Sequence, residues 1–187
     1  MAAAVGAVRS ACPGIPVGVS TGVWMTGGDV QMRRELLQAW GDLAPGHRPD
    51  FASVNVSEPG FAELSALLVN LGIEVEAGIS SPADVTLLST VDEIGRILVE
   101  VIDVPAHSAV SAADEILRWL DGVGLRAPRL LHGEGTACWP LVAHAGRLGL
   151  PTRIGLEATT VGPSGEPVRD NAELVRLALP VWRAGTA

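Results

Sequence analysis

Arg153 and Glu157 are the residues whose types and spacing point most directly to chemistry. They stand in TRIGLEATT (152–160), a run that otherwise reads as a strand. Successive strand side chains face opposite sides. Arg153, Gly155 and Glu157 therefore share one face, and Ile154 and Leu156 take the other. A charge on an inward face costs several kcal/mol unless it is paired or holds an ion. The pair reads as a buried salt bridge at a strand end, or as a metal-binding carboxylate beside an arginine that orients an acidic substrate. Glu76 divides the same way, between a structural pair with Arg96 or Arg153 and a catalytic group that hydrogen-bonds a substrate.

Ser20, Thr21, Ser53 and Asn55 are neutral donors and acceptors near strand ends. They suit a substrate carboxylate or the oxygen of an enolate. In HGEG (132–135), Gly133 and Gly135 precede a helix. Bare backbone amides at such a place can meet a cofactor phosphate, or simply make a tight turn. His132 reads as a satisfied core histidine, and Glu58 and the five tryptophans as cap and packing residues.

These side chains need elements to hold them. Strand-like runs fall at 16–21, 51–56, 74–79, 96–101, 129–134 and 152–157. Helical runs fall at 29–43, 60–72, 82–90, 111–123, 137–149 and 171–182. Asp29, Ser111 and Asp170 suit N-caps, Pro82 suits a first turn, and Gly72 and Gly149 suit helix ends. Alternation of this kind predicts a parallel sheet with crossover helices. Each strand has one apolar face and one that is polar or small toward its C-terminal end. Strands covered by helices on both sides would read as continuous apolar runs. The pattern therefore favours a (β/α)8 TIM-type barrel, with its mouth at the strand C-termini.

The chain supplies about the last six βα units of such a barrel, as a single partial domain over 1–187. An uncapped Ala-rich helix opens it and ends at Pro13-Gly14. The expectation is an N-terminal truncation, in which this helix is the barrel's second and the preceding strands are missing.

Composition narrows the function. Net charge is −8, which disfavours nucleic acid as a partner. No apolar run approaches a membrane span. Two distant cysteines, Cys12 and Cys138, suit a cytoplasmic protein. The basic residues are all arginine, so Schiff-base aldolase chemistry is excluded.

The segments PVGVSTG (16–22), PDFASVNVSEPG (49–60), GIEVEAGI (72–79), RILVE (96–100), LLHGEG (130–135), WP (139–140), TRIGLE (152–157) and DNAELV (170–175) occur in order along nearly the whole chain. Together they resemble the beta-keto acid cleavage enzymes, whose type member is 3-keto-5-aminohexanoate cleavage enzyme. The resemblance implies a zinc-dependent barrel, usually a homo-oligomer. It implies conversion of a small β-keto acid and acetyl-CoA into acetoacetate and a new acyl-CoA.

In that family a His-x-His pair and a glutamate hold the zinc. Glu157 matches the glutamate; no His-x-His occurs here. The expectation is that this chain alone binds zinc weakly or not at all. Arg153 matches the family's strand-eight arginine, Ser20 and Ser53 its hydroxyl positions, and Glu76 a carboxylate. Ala158 stands where the family has the aspartate thought to act as base. Glu76, or a first-strand carboxylate, is then expected to take part. The competing expectation is a catalytically impaired barrel remnant that acts as a binding or structural subunit.

Overall fold

The structure is a computed structural model, and it describes residues 1–89, 91 and 93–186. These fall into two compact units. One comprises Met1–Gly78 and Thr86–Arg96; the other comprises Ile79–Val85 and the chain from Ile97 onward.

In the first unit, α1 (Ala2–Ala11) precedes β1 (Gly18–Ser20), α2 (Val30–Gln38), β2 (Phe51–Asn55), α3 (Phe61–Asn70) and all but the last residue of β3 (Glu74–Ile79). β1 pairs with β2, and β2 with β3, all parallel, with Ser53 opposite both Ser20 and Glu76. Along β2, Ala52 and Val54 are fully buried, while Phe51, Ser53 and Asn55 are partly exposed, so the alternation read from sequence holds there. α3 packs Leu64 and Leu68 into the interior. Asp50 ties the layers together: it accepts from Val17 N–H at 2.6 Å and from Arg9 on α1 at 2.8 Å.

A buried arginine fixes the loops of this unit. Arg33 on α2 is 1% exposed. It pairs with Glu58 and donates to the Pro59 carbonyl at 2.6 Å. Glu58 also accepts from Val23 N–H and from Asn55 Nδ2, both at 2.9 Å. This is the capping and packing role expected of Glu58.

α4 (Pro82–Leu88) has Pro82 as its first residue. Thr90, the last residue of that expected helical run, lies outside the described residues. The second unit continues with β4 (Arg96–Val101), α5 (Ala106–Gly122), β5 (Arg129–Gly133), α6 (Cys138–Leu148) and α7 (Asn171–Gly185). β4 and β5 are parallel, with Glu100 opposite His132. α5 buries Ala109, Ala113, Ile116 and Leu120. α6 packs against β5, α5 and α7. A methyl group added at Gly146 would collide with the Trp182 carbonyl, so this glycine permits the close approach of α6 and α7. Asp29 and Asp170 cap their helices by accepting from Met32 N–H at 2.9 Å and Glu173 N–H at 2.8 Å. Gly149 takes the left-handed conformation that ends α6.

The chain is thus mixed α/β, with five strands that pair in parallel within each unit, consistent with part of a TIM-type barrel. Two expectations need correction. α5 begins at Ala106, directly after Pro105, so Ser111 lies inside it. The Ser111 hydroxyl donates back to the Ser108 carbonyl at 3.1 Å instead of capping the helix.

The run 152–157 forms no regular strand: only Thr152 bridges, in parallel, to Leu131. The Gly155 carbonyl accepts from Ala158 N–H at 2.9 Å and Thr159 N–H at 3.1 Å, which turns the chain. Asn171 takes Leu156 N–H at 2.7 Å. Glu157 therefore sits exposed in a turn and not on an inward strand face.

Candidate metal centre and cleft

Among the described residues, a group of acidic and histidine side chains that could hold a metal lies in the second unit, where β4 and β5 end. Register places Glu100 beside His132. Alternation brings Glu134, two residues on, to the same face. Its backbone stays extended, and its N–H donates to the Val101 carbonyl at 3.1 Å, which prolongs the ladder by one residue.

Arg153 organises this group twice. Its guanidinium donates to Glu100 Oε1 at 2.7 Å. Its carbonyl lies 3.3 Å from His132 Nδ1. A carbonyl can only accept, so Nδ1 carries the proton and the lone pair of the neutral ring sits on Nε2. Nε2 stands 3.8 Å from Glu134 Oε1, beyond hydrogen-bond length.

His132 is 2% exposed. Burial, and then the charge of Arg153, push its pKa down to about 4, so the ring is neutral near neutral pH. Glu134 is pushed above the usual carboxylate range, first by burial and then by the negative charge of Glu157.

Ligand atoms of Glu100, His132 and Glu134 lie within 4.8 Å of one another, and the three can hold a metal ion. The resemblance implied one protein ligand, Glu157; the fold gathers three other residues that could serve as ligands. Glu157 joins none of the metal-competent groups found among the described residues. It lies near enough to Glu134 to act on its charge.

Glu134 and Glu157 both line an open cleft of about 1200 Å³. Asp103, Trp139 and Ala158 line it too. Asp103 has φ +57°, rare for a residue with a side chain. Ala158 is 5% exposed, and its carbonyl accepts from Gly135 N–H at 2.8 Å. That bond occupies the Gly135 amide. A methyl group at Gly133 would crowd the Ala137 carbonyl and the Leu141 side chain, both 2.8 Å from its place. Both glycines lie at the turn into α6.

The remaining candidates lie in the first unit. Ser53 donates to Glu76 Oε1 at 2.5 Å, and Glu76 is 4% exposed. Thr21 is buried and donates to the Ser53 carbonyl at 2.7 Å. Asn55 donates to Glu58. Ser20 is exposed and accepts from Gly22 N–H at 3.4 Å. Arg96, one partner considered for Glu76, bonds Glu74 at 3.2 Å and lies over the Phe51 ring.

Glu100 and Glu134 were not singled out from sequence, and His132 was read as core. The core reading agrees with the burial of His132 and with its Nδ1 contact to the Arg153 carbonyl. The available signal was His-x-Glu on one strand face, with a glutamate near the same level of the preceding strand.

No protein-family model matches the chain, and no curated protein matches it significantly.

Proposed function

We propose that the protein is an enzyme of β-keto acid chemistry, cleaving a small β-keto acid with acetyl-CoA to give acetoacetate and a new acyl-CoA. One observation carries the reading: a buried network of Arg153, Glu100, His132 and Glu134 lies where parallel strands end, and it opens through Glu134 onto a large cleft. The ordered set of motifs from PVGVSTG to DNAELV adds to it.

Cleavage beside a ketone builds negative charge on oxygen, so a site must supply positive charge and a proton acceptor. Arg153 provides a fixed cation. The family's zinc does not fit as the resemblance places it, because Glu157 is exposed in a turn and the sequence has no His-x-His. No step is assigned to it there. Ala158 cannot take a proton, but Glu134 and Glu157 of the same cleft can. A thioester has room in the cleft, although Gly135 N–H is already engaged and is a poor phosphate donor as it stands.

The second reading, a binding or structural subunit, draws on the buried Ala158 at the base position. Incubation of the protein with acetyl-CoA and a panel of β-keto acids, read by mass spectrometry, separates the two. Formation of acetoacetate together with the matching acyl-CoA supports catalysis. No product with any acid supports the subunit reading.

A further inference from the structure

We infer that Glu100, His132 and Glu134 form a divalent metal site of this chain, distinct from Glu157, with Arg153 as its outer support. The site is defined by its ligands and does not depend on which reaction the protein catalyses.

A cluster of carboxylates alone would be weak ground, since acidic groups gather on many surfaces. Here the third member is a histidine held for coordination. Ring nitrogens that bind metals commonly have the other nitrogen donating to a carbonyl or carboxylate, which fixes the tautomer and the ring plane. His132 has that arrangement, with Nδ1 against the Arg153 carbonyl. The opposite nitrogen, Nε2, lies 3.8 Å from Glu134 Oε1. Ligand atoms about 2.1 Å from a tetrahedral ion lie about 3.4 Å apart. A small movement of the Glu134 side chain, which is 28% exposed, brings it into that range.

Glu100 is fixed in turn. Its Oε1 accepts from Arg153 at 2.7 Å, as ligating carboxylates commonly accept from a neighbouring donor. The site thus contains one imidazole nitrogen and two carboxylates, with backbone and guanidinium of a single residue steadying two of the three.

One nitrogen and two oxygen donors suit zinc and the neighbouring first-row ions better than magnesium or calcium, which prefer oxygen alone. Three protein ligands leave a fourth position, as in catalytic zinc sites. Of the three, Glu134 lines the cleft.

The test uses the whole chain, stripped with a chelator and titrated with zinc chloride against a chromophoric zinc indicator. One zinc per chain is expected. His132→Ala and Glu134→Gln should each weaken binding by at least about 100-fold, while Glu157→Gln should change it less than about fivefold. Glu134→Gln, near the surface, keeps the test open if His132→Ala fails to fold. Copper(II) in place of zinc should show a single nitrogen donor by electron paramagnetic resonance, lost in His132→Ala. Absence of zinc binding by the wild-type chain overturns the site. So does binding that survives both ligand substitutions, or binding abolished by Glu157→Gln alone. Tight zinc without keto acid turnover would keep the site and remove the reaction.

Discussion

The Arg153 carbonyl lies 3.3 Å from His132 Nδ1 while the Arg153 guanidinium holds Glu100, so one residue sets both the tautomer of a buried histidine and the position of a buried carboxylate. The two contacts act on residues that face each other across β4 and β5.

The metal-free protein should therefore lose stability in acid through His132. The folded ring has its pKa lowered from 6.5 to about 4, so the unfolded chain takes up a proton that the folded chain refuses. The contribution of the neutral ring is whole above a pH of about 6.5 and falls away toward about 4, by roughly 3 kcal/mol in all. Urea midpoints measured across that range should fall less steeply in His132→Gln than in the wild type. Parallel curves would show that the ring titrates normally.

Arg33→Ala should be among the most damaging single substitutions. It leaves Glu58, whose side chain is 13% exposed, without its cation, and it strips the Pro59 carbonyl of a donor. Removal of one partner of a buried ion pair costs about 3–5 kcal/mol. Chemical denaturation measures it, and a loss below about 1 kcal/mol would mean that water replaces the arginine.

Gly146→Ala gives a test of sign. In a free helix, alanine would stabilise by about 1 kcal/mol. Against the Trp182 carbonyl it should instead destabilise by about 1–3 kcal/mol, because α6 and α7 must move apart. A rise in thermal midpoint would show that the helices have slack.

Asp170→Ala should cost about 1 kcal/mol, through loss of the bond from Glu173 N–H that starts α7. Asp170→Asn should keep most of it. Equal losses in both variants would point to the charge and not to the cap.

Much of this fold was legible locally. The strand cores of β1 to β5, the alternation of Ala52 and Val54 against Ser53 and Asn55, and the caps at Asp29 and Asp170 all follow from neighbours in sequence. The reading failed where the outcome depends on distant partners. The 152–157 run has strand-like residues, but beyond Thr152 it turns at Gly155, and Asn171 takes the Leu156 amide. Ser111 has the chemistry of a cap, yet Pro105 starts the helix earlier. The candidate site failed for the same reason. Glu100 meets Arg153 across 53 positions and His132 meets it across 21, distances that no local pattern spans.

The pairing of Glu100 with His132 has a consequence for how folding can be judged. A slip of one residue between β4 and β5 would keep backbone pairing, and it would turn one strand's side chains to the other side. Spectra of secondary structure would hardly register the error. At the proposed metal site, zinc uptake would register it, because Glu100 and His132 stand opposite each other in only one alignment. The fraction of chains that load metal would then count the chains whose strands have joined in the right alignment.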